Sequence, residues 1–243
     1  MTEHQPLLAR PLAKRLDALD WRGIADALDG RGHATTPALL TPEECAALSA
    51  LYAAPERFRS RVVMARHNYG SGEYQYFAYP LPRAVASLRR GFYAKLAPLA
   101  NRWAEALGQA PYPAKLERFL EACHAAGQTR PTPLLLRYEA EDYNCLHQDR
   151  YGEIAFPLQV AICLSKPGED FTGGAFLLVE QRPRMQSRGE AIALAQGEAV
   201  IFANSHRPVA GKRGTYRVAV RHGVSRLLSG QRTTLGLIFH DAQ

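Results

Sequence analysis

The run Leu146-His147-Gln148-Asp149 places an imidazole and a carboxylate two residues apart. On an extended segment such a pair points to one side, because strand side chains repeat every second residue. Histidine and aspartate so placed supply two of the three ligands of a 2-His-1-carboxylate set, which leaves open positions on ferrous iron. The plainer reading of the pair alone is a hydrogen-bonded polar couple at a strand end. A metal site needs a second histidine, and two candidates lie downstream. His206 follows Phe202 closely, with Arg217 eleven residues further on; His222 opens His222-Gly223-Val224, with Arg232 ten residues further on. Either arginine offers a bidentate fork to a carboxylate co-substrate.

The segments that must position these residues are short β-type runs over 134–138, 145–148, 158–164, 175–179, 191–194, 199–202, 215–220 and 233–239. Turn chemistry such as Lys166-Pro167-Gly168 and Thr172-Gly173-Gly174 separates them. About eight strands at this spacing predict a double-sheet jelly roll, which brings strands remote in sequence together.

Upstream the texture is helical. Apolar spacing over 11–28 predicts one or two helices, and Thr41-Pro42-Glu43-Glu44 is a helix start with a capping box. A strand is expected at 61–64 and further helices at 83–107 and 114–126, each followed by a glycine. Between them, residues 66–77 mix glycines, aromatics and polar groups. This stretch reads either as an irregular surface hairpin or as a substrate-covering loop whose tyrosines stack on a planar ligand. Arg66, Tyr69, Tyr74 and Tyr76 are the candidates in the second case.

The expected fold class is therefore α+β, a jelly-roll (double-stranded β-helix) core with N-terminal supporting helices. One domain is expected over 1–243, with 1–130 mainly helical support that includes a substrate-loop region and 131–243 the jelly-roll catalytic core. A chain of 243 residues with 47% hydrophobic and 22% charged residues has globular rather than disordered composition. It has no apolar run of membrane-spanning length, and its first residues lack the layout of a secretion signal, so a soluble, cytoplasmic protein with no membrane partner is expected. Four isolated cysteines with no CxxC pair argue against a zinc ribbon or a disulfide framework. The net charge of +7, carried mostly by arginine, suits a polyanionic partner, DNA or RNA.

The C-terminal third carries a resemblance. His222-Gly223-Val224 followed by Gly230-Gln231-Arg232 resembles the C-terminal signature of the 2-oxoglutarate-dependent iron oxygenases, with Thr172-Gly173-Gly174 similar to that family's Gly-Gly strand and 197–202 to its penultimate strand. Arg137-Tyr138 and then Leu146-His147-Gln148-Asp149 resemble the AlkB-type nucleic-acid demethylases. More specifically, 147–241 is similar to a bacterial family of oxygenases grouped with oxidative repair of damaged nucleic acid.

The resemblance implies that the single domain is an oxygenase domain, with Fe(II), 2-oxoglutarate and O2 as cofactor and co-substrates. It implies His147, Asp149 and His222 as metal ligands, with His206 the alternative, and Arg232 and Tyr138 as the 2-oxoglutarate contacts. Leu136 stands where the AlkB-type enzymes have an asparagine, and 206–221 forms an extra basic hairpin where the simplest members have a short connection. Lys212 and Arg213, on that hairpin, are candidates for meeting phosphates. The implied activity is oxidative demethylation of alkylated bases. The alternatives are a hydroxylase of protein side chains or small metabolites, and a non-enzymatic cupin-like metal-binding module.

Overall fold

The computed structural model describes residues 11–149, 151–211 and 214–243. Helices α1 (Leu12–Asp17) and α2 (Trp21–Arg31) open it, and strand β1 (His33–Thr35) follows. Helix α3 (Pro42–Ala50) begins on the expected capping box: the Thr41 hydroxyl accepts from the Glu44 amide at 3.2 Å, and the Glu44 carboxylate accepts from the Thr41 amide at 2.9 Å. The buried Arg15 of α1 also donates to that carboxylate at 2.6 Å, tying the first two helical layers together.

Strands β2 (Phe58–Val63), β3 (Gly70–Ser71) and β4 (Glu73–Phe77) precede the long helix α4 (Arg83–Ala106) and the shorter α5 (Leu116–Ala125). On α4 the buried Val85, Leu88, Phe92, Leu96, Leu99 and Trp103 recur every three or four residues and form one apolar face. Arg89, on the same face, is 1% exposed and donates to the Ile238 and Phe239 carbonyls and to Asp241, so α4 pins the end of the chain.

Ten strands follow: β5 (Leu134–Glu139), β6 (Tyr143–His147), β7 (Leu158–Cys163), β8 (Phe171–Gly173), β9 (Phe176–Gln181), β10 (Arg188–Ile192), β11 (Ala199–Ala203), β12 (His206–Gly211), β13 (Gly214–Val224) and β14 (Leu227–Leu237). They form two antiparallel sheets. The larger runs β1-β11-β7-β14-β5-β4-β2 with β8 beside β14; the smaller runs β10-β9-β13-β6-β3 with β12 beside β13. Their inner faces meet, as where Phe176 of β9 packs on Phe202 of β11 with ring centroids 4.8 Å apart. One hydrophobic core extends from Leu16 on α1 to Phe239 after β14.

Two features differ from the sequence expectation. Within the mainly helical first 130 residues, β1, β3 and β4 join the expected strand near 61–64 (β2) in extending the two sheets. In β4 the alternation is clear once it is paired: Tyr74 and Tyr76 line a cavity, whereas Glu73 and Gln75 turn to the opposite face, where they border a separate surface groove. The pairing of β4 on β5 covers what would otherwise be an open edge. In addition, residues 171–173, read as part of a turn, form the short β8 through pairing on β14, whereas β12 pairs with β13 where the basic hairpin was expected. Among the described residues no helix is long and apolar enough to cross a membrane.

Candidate active site

His147 ends β6 and His222 lies on β13 directly opposite it in register. Their rings are 4.3 Å apart between centroids. This approach requires Gly223, because a Cβ there would lie 2.6 Å from the Asn144 carbonyl oxygen of β6. Asp149, two residues beyond the end of β6, closes the group: one carboxylate oxygen is 3.6 Å from His147 Nε2 and the other 3.3 Å from His222 Nε2. One ligand atom from each of the three lies within 4.8 Å of the others. Two donors bound at right angles to one ion at about 2.1 Å would lie about 3 Å apart, so the spacing fits a shared metal.

The segment carrying Asp149 has left the sheet and is held by side chains instead. The Asn204 amide clamps its backbone, accepting from the Asp149 amide at 3.2 Å and donating to its carbonyl at 2.9 Å. Gln148 donates to the Ser205 and Val220 carbonyls at 2.7 and 2.8 Å. The Nδ1 of His147 lies 2.8 Å from the Cys145 carbonyl, which can only accept, so the proton sits on Nδ1 and the Nε2 lone pair faces the group. His222 packs against the rings of Phe202 and Phe176, 4.7 and 6.0 Å away between centroids.

The electrostatics suit ligation. Burial would raise the Asp149 carboxyl, but the hydrogen bond and charge of His222, then His147 and Tyr151, overcome it and hold the group well below the usual carboxylate range. Burial, followed by the neighbouring His222, lowers His147 and favours its neutral form. An anionic carboxylate beside a neutral imidazole is the protonation state a divalent cation needs.

These three residues line a cavity of about 420 Å³ between the two sheets. On its larger-sheet side Arg232 of β14 pairs in register with Tyr138 of β5, both buried. The guanidinium carbon lies 5.8 Å from the Tyr138 ring centre, and Tyr138 accepts a hydrogen bond from Asn144 at 3.3 Å. Gly174 makes room here, since a Cβ would come within 3.2 Å of the Arg232 side chain and 2.5 Å of Leu227. Arg232 Nε, Gln159 Nε2 and Thr234 Oγ1 are buried in this cavity with no hydrogen-bond partner among the described residues. A buried polar group left unpaired costs about 1–3 kcal/mol, and unpaired groups beside a guanidinium suit a polar, anionic ligand.

Tyr69, Tyr74 and Tyr76 line the same cavity. Tyr69 is half exposed and stacks on His67 at 5.3 Å, whereas Tyr76 is buried. Arg66 is exposed and does not line the cavity. His206 borders a different cavity, of about 230 Å³, together with Arg217, so the alternative histidine and its arginine sit apart from His147 and Asp149. Lys212 and Arg213 lie outside the described residues.

A family model described as an oxygenase catalysing oxidative methylation of damaged DNA, Oxygenase-NA, matches residues 72–242. The chain belongs to this family and is an oxygenase. A Mycobacterium tuberculosis relative, "Uncharacterized protein Rv2227", is 54% identical over 167 residues, 68% of this chain and 72% of the relative. The oxygenase also shares its fold with two solved structures. A Pseudomonas putida prolyl-4-hydroxylase superposes with a TM-score of 0.55 at 14% identity, covering 92% of this chain and 99% of that one. An oxidoreductase of the 2OG-Fe(II) oxygenase family from Burkholderia pseudomallei superposes with a TM-score of 0.54 at 18% identity, covering 91% and 92%.

For an oxygenase the donor set is apt. Two imidazoles and one carboxylate suit Fe(II), and the arginine-backed wall suits the co-substrate 2-oxoglutarate, with O2 as the oxidant. Sequence reasoning missed Asn144, Asn204, Tyr151, Gln159 and Thr234 in this oxygenase. Thr234 stands two residues after Arg232 on one strand, so period-two alternation alone could have found it. Tyr151 likewise continues the two-residue spacing of His147 and Asp149, and no local pattern marks Asn144, Asn204 or Gln159.

Proposed function

We propose that the protein is an Fe(II)- and 2-oxoglutarate-dependent oxygenase that removes alkyl groups from nucleic-acid bases by oxidation. The observation that carries this reading is the convergence of His147, Asp149 and His222 with the buried Arg232 on one cavity. In this reading the three residues hold iron, and Arg232 pairs with the far carboxylate of 2-oxoglutarate, with Tyr138, Gln159 and Thr234 completing its hydrogen bonds. The two sheets act as a double-stranded β-helix within one oxygenase domain, to which α1 to α5 and β1 to β4 give support.

The bound metal, keto acid and O2 together supply oxidation of an unactivated C–H bond, with succinate and carbon dioxide as by-products. The protein's own work is orientation and exclusion of water. Neutral His147 and anionic Asp149 present lone pairs to the cation, while Phe176, Phe202 and Val160 keep the surroundings apolar. Tyr69 and Tyr74 offer faces on which a base can stack. Hydroxylation of an N-methyl carbon gives a hydroxymethyl amine that loses formaldehyde, so the net outcome is demethylation. A duplex must extrude the base first, at a cost of a few kcal/mol that is smallest for damaged or unpaired bases.

Support for a nucleic-acid substrate comes from the +7 charge and from the family description, which concerns damaged DNA. The test is turnover with methylated oligonucleotides, Fe(II) and 2-oxoglutarate. Formaldehyde and succinate in equal amounts, lost in Asp149→Ala, are expected. Succinate without formaldehyde, accompanied by hydroxylated peptides or metabolites, would move the substrate to those classes. No succinate under any condition would leave a metal-binding module.

A further inference from the structure

Asp149 has two carboxylate oxygens, and they have different partners. One lies 3.3 Å from His222 Nε2. The other, 3.6 Å from His147 Nε2, also accepts a hydrogen bond from the Tyr151 hydroxyl at 2.7 Å. The Tyr151 oxygen accepts in turn from the Tyr76 hydroxyl at 2.9 Å. Because Tyr76 donates to Tyr151, the single Tyr151 proton is committed to Asp149. The arrangement is fixed from both sides: the Arg59 guanidinium sits 4.5 Å over the Tyr76 ring, and the buried His240 ring lies 5.9 Å from that of Tyr151. Asp149 is itself 13% exposed, so water is a poor substitute for the tyrosine.

We propose that Tyr151 is a positioning residue that restricts Asp149 to one-oxygen coordination, so that a coordination position stays open for dioxygen. This rests on the iron reading above. A six-coordinate ion bound by two imidazoles and one carboxylate oxygen has three positions left; a chelating keto acid takes two, and one remains. A carboxylate gripping with both oxygens would take that last position. The Tyr151 proton takes one lone pair of its partner oxygen and withdraws electron density from it, which leaves the oxygen on the His222 side the stronger donor. Tyr76 acts behind it by fixing the direction of that proton. Asp149, Tyr151 and Tyr76 are thus joined in one hydrogen-bonded chain, in which neither tyrosine belongs to the His147, Asp149 and His222 group.

The test uses nitric oxide, a stand-in for dioxygen read by electron paramagnetic resonance, titrated anaerobically into the full-length protein loaded with Fe(II) and 2-oxoglutarate. Tyr151→Phe, loaded with Fe(II) and 2-oxoglutarate at saturating concentrations, should bind nitric oxide about tenfold more weakly than wild type, the lower end of what loss of an outer partner costs. Tyr76→Phe should fall between the two, about threefold weaker, as for one neutral hydrogen bond. Unchanged nitric oxide affinity in Tyr151→Phe would overturn the proposal. If Tyr151→Phe does not fold, unchanged affinity in Tyr76→Phe overturns it equally. A wild-type protein that takes up no Fe(II), or gives no nitric oxide signal, would instead refute the iron assignment itself.

Discussion

His147 and His222 face each other across β6 and β13, exact partners in register although 75 positions separate them in the chain. The two strands can come this close because position 223 has no side chain. Gly223→Ala would drive a methyl group against the Asn144 carbonyl at 2.6 Å and push the strands apart. Chemical denaturation should show a loss of about 1–3 kcal/mol, the usual cost of overpacking, and calorimetry should show weaker metal uptake.

The two histidines that compete in the sequence are separable by metal titration. His222→Ala should weaken Mn(II) or Fe(II) binding by more than the roughly 10–100-fold typical of losing an outer-shell partner. His206→Ala, at a separate cavity, should bind the ion within about twofold of wild type. Equal losses in both variants would contradict the assignment.

Arg232 is buried and carries an unpartnered Nε in the cavity wall. Arg232→Gln keeps polarity and removes charge. The KM for 2-oxoglutarate should rise on the order of 100-fold, about 3 kcal/mol, as for truncating one member of a buried charged pair. The affinity for the metal alone should be unaffected.

Tyr69 is half exposed at the cavity, so its removal should leave folding intact. Fluorescence anisotropy with a methylated oligonucleotide should show Tyr69→Ala weakened by about 1–3 kcal/mol, the contribution of one stacked base. Succinate formed in the absence of nucleic acid should be the same as wild type.

Acid stability should depend on Glu180, which is 5% exposed on β9 and receives Arg207 at 2.6 Å and Arg182 at 2.6 Å. Arg207 also donates to the Asp29 and Gly30 carbonyls, so the pair fastens α2 to the smaller sheet. Burial would raise the Glu180 carboxyl, but the hydrogen bonds and charges of the two arginines prevail and bring it below its ordinary 4.5. A carboxyl depressed in the folded state adds stability above its unfolded value and loses it as pH falls through the folded value. Glu180→Ala should cost about 3–5 kcal/mol at pH 7, because it strands a buried guanidinium. Melting curves should show that gap narrowing as the pH drops below about 4.5.

What the sequence determined by itself follows from short-range rules. The Thr41 to Glu44 capping box, the long apolar face of α4, the run of short strands after Pro133 and the His147/Asp149 pair each depend on neighbours a few residues away. Those rules also limited the second histidine to two candidates. The family signature at His222-Gly223-Val224 and Arg232 favoured His222, but the short-range rules could not separate the two, because distance between His206 or His222 and Asp149 depends on how β12, β13 and β6 pair. Only the tertiary structure brought His222 opposite His147 and left His206 beside Arg217. The Asn204 clamp on the Asp149 backbone and the unpaired Gln159 beside Arg232 were likewise decided there. Their roles arise from contacts between remote segments, and such contacts impose no period or spacing on the chain.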